Sequence, residues 1–106
     1  LCYNVVMLSV LLGQKEGYTF YYSLRDGANT SGGGLKEGEL VCDENCTQKE
    51  LMLRTLINKC MNEGIARVFT RDVWGQDLAR FGFEREGDVF VSDAEKLRLP
   101  HDCKHG

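Results

Sequence analysis

The stretch from Glu39 to Phe69, ELVCDENCTQKELMLRTLINKCMNEGIARVF, constrains the fold most. It reads as a strand, a polar turn, an amphipathic helix and a second strand. Leu53, Leu56, Ile57, Cys60 and Met61 recur at helical spacing, with Arg54, Asn58, Lys59 and Glu63 on the other face. Thr47 and Glu50 stand three apart, the spacing of a capping box in which each side chain satisfies an orphan amide. Gly64 is placed to stop the helix. A strand–helix–strand succession implies a parallel pair with a right-handed crossover, so the chain carries a sheet with a helix packed on it.

Elements around that unit are predicted from local composition. Residues 3–12 and 18–25, rich in Val, Leu, Tyr and Phe, predict a β-hairpin around Gln14–Gly17. DGANTSGGGLKEG, residues 26–38, holds five glycines and predicts a long flexible loop. Residues 39–42 and 66–70 predict strands, residues 74–81 a short helix stopped by Gly82, and residues 87–92 a further strand. Trp74, Phe81 and Phe83 around that helix are expected to lock it onto the sheet. Residues 97–106, with the only proline at Pro100, predict an irregular tail. The expected fold is a single α+β domain over residues 1–106 with a mixed sheet, in the order β-β-β-α-β-α-β.

At 106 residues there is room for one core and not for two. A net charge of -3 with no basic run predicts no nucleic-acid partner. No apolar stretch reaches the ~20 residues of a membrane span. The longest, Val5–Leu12, has neither a basic leader before it nor a small-residue cleavage site after it, so a cytoplasmic chain is expected. Five cysteines, an odd number, predict free thiols rather than a disulfide framework. Cys60 falls on the apolar helix face and is expected to behave as a small hydrophobe. Cys42, Cys46, His101, Cys103 and His105 supply soft ligands at non-finger spacing, and no bound metal is expected. Asp72, Asp77 and Asp93 share no spacing that would unite carboxylates.

LVC, the helix ELMLRTLINKCMNEGI, the strand ARVF and the run LARFGFEREGDVFV together resemble the second half of the GCN5-related N-acetyltransferase (GNAT) superfamily. The resemblance covers residues 39–92, with residues 3–25 as the preceding hairpin. The family's N-terminal strand and helix pair has no counterpart in the chain. The resemblance implies acetyl-CoA as cofactor and an amine as acceptor. The coenzyme would lie along the third predicted strand and the turn, at Leu40, Val41, Asn45, Cys46, Thr47, Gln48 and Lys49. The amine would attack directly, with polarising amides near Leu40 and Val41.

The chain departs from the family at two places. The pyrophosphate motif (Arg or Gln, two residues, Gly, one residue, Gly or Ala) falls on Glu44, Thr47 and Lys49. Side chains at the last two obstruct close backbone approach, and Asp43 and Glu44 bring negative charge. The turn therefore reads first as a capped helix start, and coenzyme A binding is expected to be weak or absent. The tyrosine that the family often uses as general acid, four residues before the GF glycine, is Leu78 here, which has no proton to give. Tyr18, Tyr21, Tyr22 or Cys46 are the candidates to replace it, though tyrosines on a hairpin are mostly cross-strand packing.

A second function class follows from these losses: a non-catalytic relative that binds a partner or itself. Two short helices cannot cover both faces of the expected sheet, and the hairpin is apolar on both. A homodimer or partner domain against residues 3–25 is the expected occupant.

Overall fold

A computed structural model describes residues 8–100. Seven strands form one mixed sheet in the order β1-β2-β3-β4-β5-β7-β6. They are β1 (Leu8–Gly13), β2 (Phe20–Asp26), β3 (Asn29–Lys36), β4 (Glu39–Cys42), β5 (Arg67–Thr70), β6 (Glu84–Glu86) and β7 (Val89–Asp93). The single α-helix among the described residues, α1 (Lys49–Glu63), lies between β4 and β5. β4 and β5 are parallel, and every other pairing is antiparallel. The class is α+β with a mixed sheet. No helix among the described residues is long and apolar enough to cross a membrane.

Residues 26–38 are not a flexible loop. They form the end of β2, a tight turn and β3, with Ser31 to Leu35 all buried. The glycines are there for close packing. A Cβ on Gly32 would overlap the Tyr21 ring, and one on Gly34 would overlap the Phe20 carbonyl and crowd Tyr18. On the opposite face, a Cβ on Gly33 would press on the Val41 carbonyl and on Met52 of α1. Three side-chain-free residues let two tyrosines pack closely on one face and α1 approach the other. Those rings stand edge to face with centroids 5.1 Å apart, and the Lys15 ammonium sits 5.1 Å from the Tyr21 centroid.

Residues 74–81 also differ from expectation, since only Leu78–Phe81 winds up, as a 3₁₀ turn. Trp74, Phe81 and Phe83 are buried all the same, and the Arg54 guanidinium stacks 5.4 Å from the Phe81 centroid. The predicted strand 87–92 is half of a β6–β7 hairpin that turns at Gly87. The element order is thus β-β-β-β-α-β-β-β, with β3 and β6 added and the second helix lost. Residues 97–100 have no regular structure but are pinned: Leu97 is buried, and Arg98 donates to the carbonyls of Phe81, Arg80 and Ala79.

α1 buries Met52, Leu53, Leu56, Ile57 and Cys60 on one face of the sheet. The buried stripe is rotated slightly from the predicted one, which leaves Met61 44% exposed. On the other face Leu11 is exposed and Val41, Phe69 and Val91 are half-buried. Residues 3–7 of the predicted hairpin lie outside the described residues.

Candidate functional site

The parallel β4–β5 ladder is short. Only Glu39↔Phe69 and Leu40↔Thr70 pair, after which the strands part. A side chain causes this. The Leu40 carbonyl accepts from the Thr70 hydroxyl at 2.7 Å, where a longer ladder would supply a backbone N–H. Trp74 Nε1 donates to that same hydroxyl at 2.8 Å and fills the space behind it. On its other side β4 pairs with β3, and the Asp43 N–H donates to the Gly32 carbonyl. Antiparallel alternation therefore turns the backbone groups of Val41 toward β3 and those of Cys42 toward the gap beside β5.

That gap is a cleft of about 340 Å³, walled by Leu40, Cys42, Asp43, Glu44, Lys49 and Arg71. Arg71 at its mouth pairs with Glu39 at 3.4 Å. The Cys42 thiol is pushed up to about 11, chiefly by burial. Neighbouring Cys46 and Asp43 add to this and Lys49 opposes it. Cys42 is thus a protonated thiol at neutral pH, held out of nucleophilic chemistry by its burial.

Beyond β4, the chain enters α1 without the predicted capping box. The N-cap is Gln48, with no side-chain bond to the helix amides. The Thr47 hydroxyl donates instead to Asp26 at 2.6 Å, and Glu50 pairs with Arg54 at 3.1 Å. The first-turn amides are left without a side-chain acceptor, the arrangement that attracts an anion. Lys49 bends back to donate to the carbonyls of Cys46 and Glu44, which spends part of its donor capacity inside the turn.

The predicted site residues divide accordingly. Leu40, Val41 and Lys49 line the cleft. Asn45 points away, donating to the Thr30 carbonyl and to Asn29, while Gln48 joins Thr47 on Asp26. Cys46 is in the core and in side-chain contact with Cys42. Cys42, Arg71 and Val73 complete the cleft. Cys42 ends β4 whereas Arg71 and Val73 follow β5, so only the tertiary fold unites them. Leu78 is buried, and Tyr18, Tyr21 and Tyr22 pack along the hairpin rather than at the cleft.

A groove of about 430 Å³ lies between the end of β1 and α1. Its only charges among the described residues, Lys59 and Glu63, neutralise each other at 3.0 Å, so they offer little to a charged ligand. Among the described residues, no cluster of three or more His, Cys, Asp or Glu side chains is placed to hold a metal ion. His101, Cys103 and His105 lie outside the described residues. No protein-family model matches this chain, and no curated protein or solved structure matches it significantly.

Proposed function

We propose that the chain is an acetyltransferase-like domain on a GNAT-type sheet, whose β4–β5 cleft receives the thioester arm of an acyl donor such as acetyl-CoA. The observation that carries this is the parting of two parallel strands directly in front of an uncapped helix N-terminus. It leaves a slot that the Cys42 N–H faces and that Lys49, the first residue of α1, helps to wall. The bound donor would supply an activated acyl carbonyl for attack by an amine. The Cys42 N–H faces the place where such a carbonyl could be polarised, and the proton that the attacking amine must lose would pass to the departing thiolate.

The turn fits the pyrophosphate poorly. Asp43 and Glu44 flank it, and Lys49 is held by carbonyls. The arm is therefore the recognised part, and affinity is weak, with a dissociation constant above about 100 µM. Acetyl-pantetheine and acetyl-CoA should bind alike, within about threefold, which corresponds to less than ~0.7 kcal/mol. Calorimetric titration of both ligands tests this. A low-micromolar constant for acetyl-CoA alone would place the affinity in the pyrophosphate and contradict the reading.

A second reading, a non-catalytic scaffold that pairs with another chain, is favoured by the buried Leu78 and by a sheet that the described residues cover with a helix on one face only. Free thiols at Cys42, Cys46 and Cys60 suit a reducing, cytoplasmic setting under either reading.

A further inference from the structure

The two edges of the sheet are treated oppositely. β6 is three residues long, Glu84-Arg85-Glu86, all charged and all exposed, which discourages pairing. β1 is Leu-Ser-Val-Leu-Leu-Gly, six residues without charge or proline. Among the described residues it pairs only with β2. Leu11 and Leu12 on it are 63% and 58% exposed, and the other two exposed large hydrophobics among the described residues, Met61 and Val73, lie elsewhere.

We propose that a second copy of this chain pairs with β1, antiparallel about a two-fold axis at Val10, joining two sheets into one. This gives the partner-binding reading a surface and an occupant, and it rests on that reading rather than on the cleft. The strand is self-complementary. Leu8, Val10 and Leu12 share the face of the sheet that α1 covers, and the pattern reads the same in both directions about Val10. Pairing there sets Leu8 against the partner's Leu12 and Val10 against the partner's Val10. Leu8 and Val10 already pack on the core, so the pairing extends an existing apolar layer. On the opposite face Ser9 meets the partner's Leu11. No rung brings like charges together. The same operation through β6 would set Arg85 against its own copy and Glu84 against the partner's Glu86, like charges on every rung.

Five rungs are a small interface beside the ~800 Å² per partner of a standard one, so the dimer is expected to dissociate in the micromolar range. Sedimentation equilibrium from roughly 10 µM to 1 mM reads this directly. The expected result is a monomer–dimer equilibrium, weakened roughly tenfold or more by Leu11→Lys. The urea midpoint should not move, because Leu11 touches no core. The double variant Ser9→Glu/Leu11→Lys should restore the dimer, since each lysine then faces a glutamate of the other copy.

A wild-type chain that stays monomeric throughout overturns both this proposal and the self-pairing reading, all the more if its β1 amides resist exchange. A dimer indifferent to Leu11→Lys overturns the β1 pairing alone and leaves self-association through another surface.

Discussion

Trp74 donates its indole N–H to the hydroxyl of Thr70 at 2.8 Å, with both side chains fully buried. That hydroxyl in turn donates to the Leu40 carbonyl at 2.7 Å, ending the parallel ladder and opening the cleft. Thr70→Val keeps the shape and strands both partners, the indole donor and the carbonyl acceptor. Urea denaturation should show a loss of about 2–4 kcal/mol, whereas Thr70→Ser, which keeps the hydroxyl, should lose about 1 kcal/mol. Equal losses for the two would mean that the hydroxyl relay does not hold the strands.

The three glycines of β3 should differ in tolerance to alanine. At Gly34 the new methyl meets the Phe20 backbone, which cannot move without breaking the β2–β3 ladder. At Gly33 it meets the Val41 carbonyl and a flexible methionine, and at Gly32 only the far end of the Tyr21 ring. Gly34→Ala should cost about 3 kcal/mol or more and Gly32→Ala about 1, with Gly33→Ala between. Hydrogen exchange offers a companion check, since the amides that pair β3 with β2 and β4 should be protected as a strand.

Cys60, fully buried under α1, has its thiol pushed from 9.0 up to about 12 by burial alone. Below pH 9 the group is protonated in both folded and unfolded chains and stability is at its full value. Between pH 9 and about 12 the unfolded chain loses the proton first, so stability falls as pH rises. Cys60→Ala should cost about 1 kcal/mol at pH 7 and flatten this alkaline decline. A variant whose stability runs parallel to the wild type up to pH 11 would remove the linkage.

Glu44 stands at the cleft where the GNAT-type motif would begin. Glu44→Gln removes a negative charge beside the α1 N-terminus and should tighten acetyl-CoA two- to fivefold at low salt, about 0.3–1 kcal/mol. Acetyl-pantetheine, lacking the adenosine phosphates, should gain nothing. A gain of the same size for both ligands would mean that the effect does not act through the phosphates.

The parts legible in the sequence are those whose cause is local. The α1 stripe, the hairpin aromatics and the β4–α1–β5 unit follow from spacing within a dozen residues. β3 was illegible because a glycine run reads as slack until Tyr21, Tyr18 and Met52 are known to lie on it. The capping box failed for a related reason: Thr47 has the right neighbour at Glu50, yet Asp26, from another strand, captures its hydroxyl. At the cleft, Leu40, Val41 and Lys49 are among the residues the GNAT resemblance implies, whereas Cys42 and Arg71 become neighbours only because Thr70 ends a ladder.

The most direct test of the account is the footprint of an acyl thioester on the amide spectrum. With acetyl-CoA raised to roughly 5 mM, saturable shifts are expected at Val41, Cys42, Lys49 and Arg71, with Lys59 and Glu63 unmoved. Shifts confined to the groove between β1 and α1, or no saturable change at the β4–β5 cleft, would contradict it.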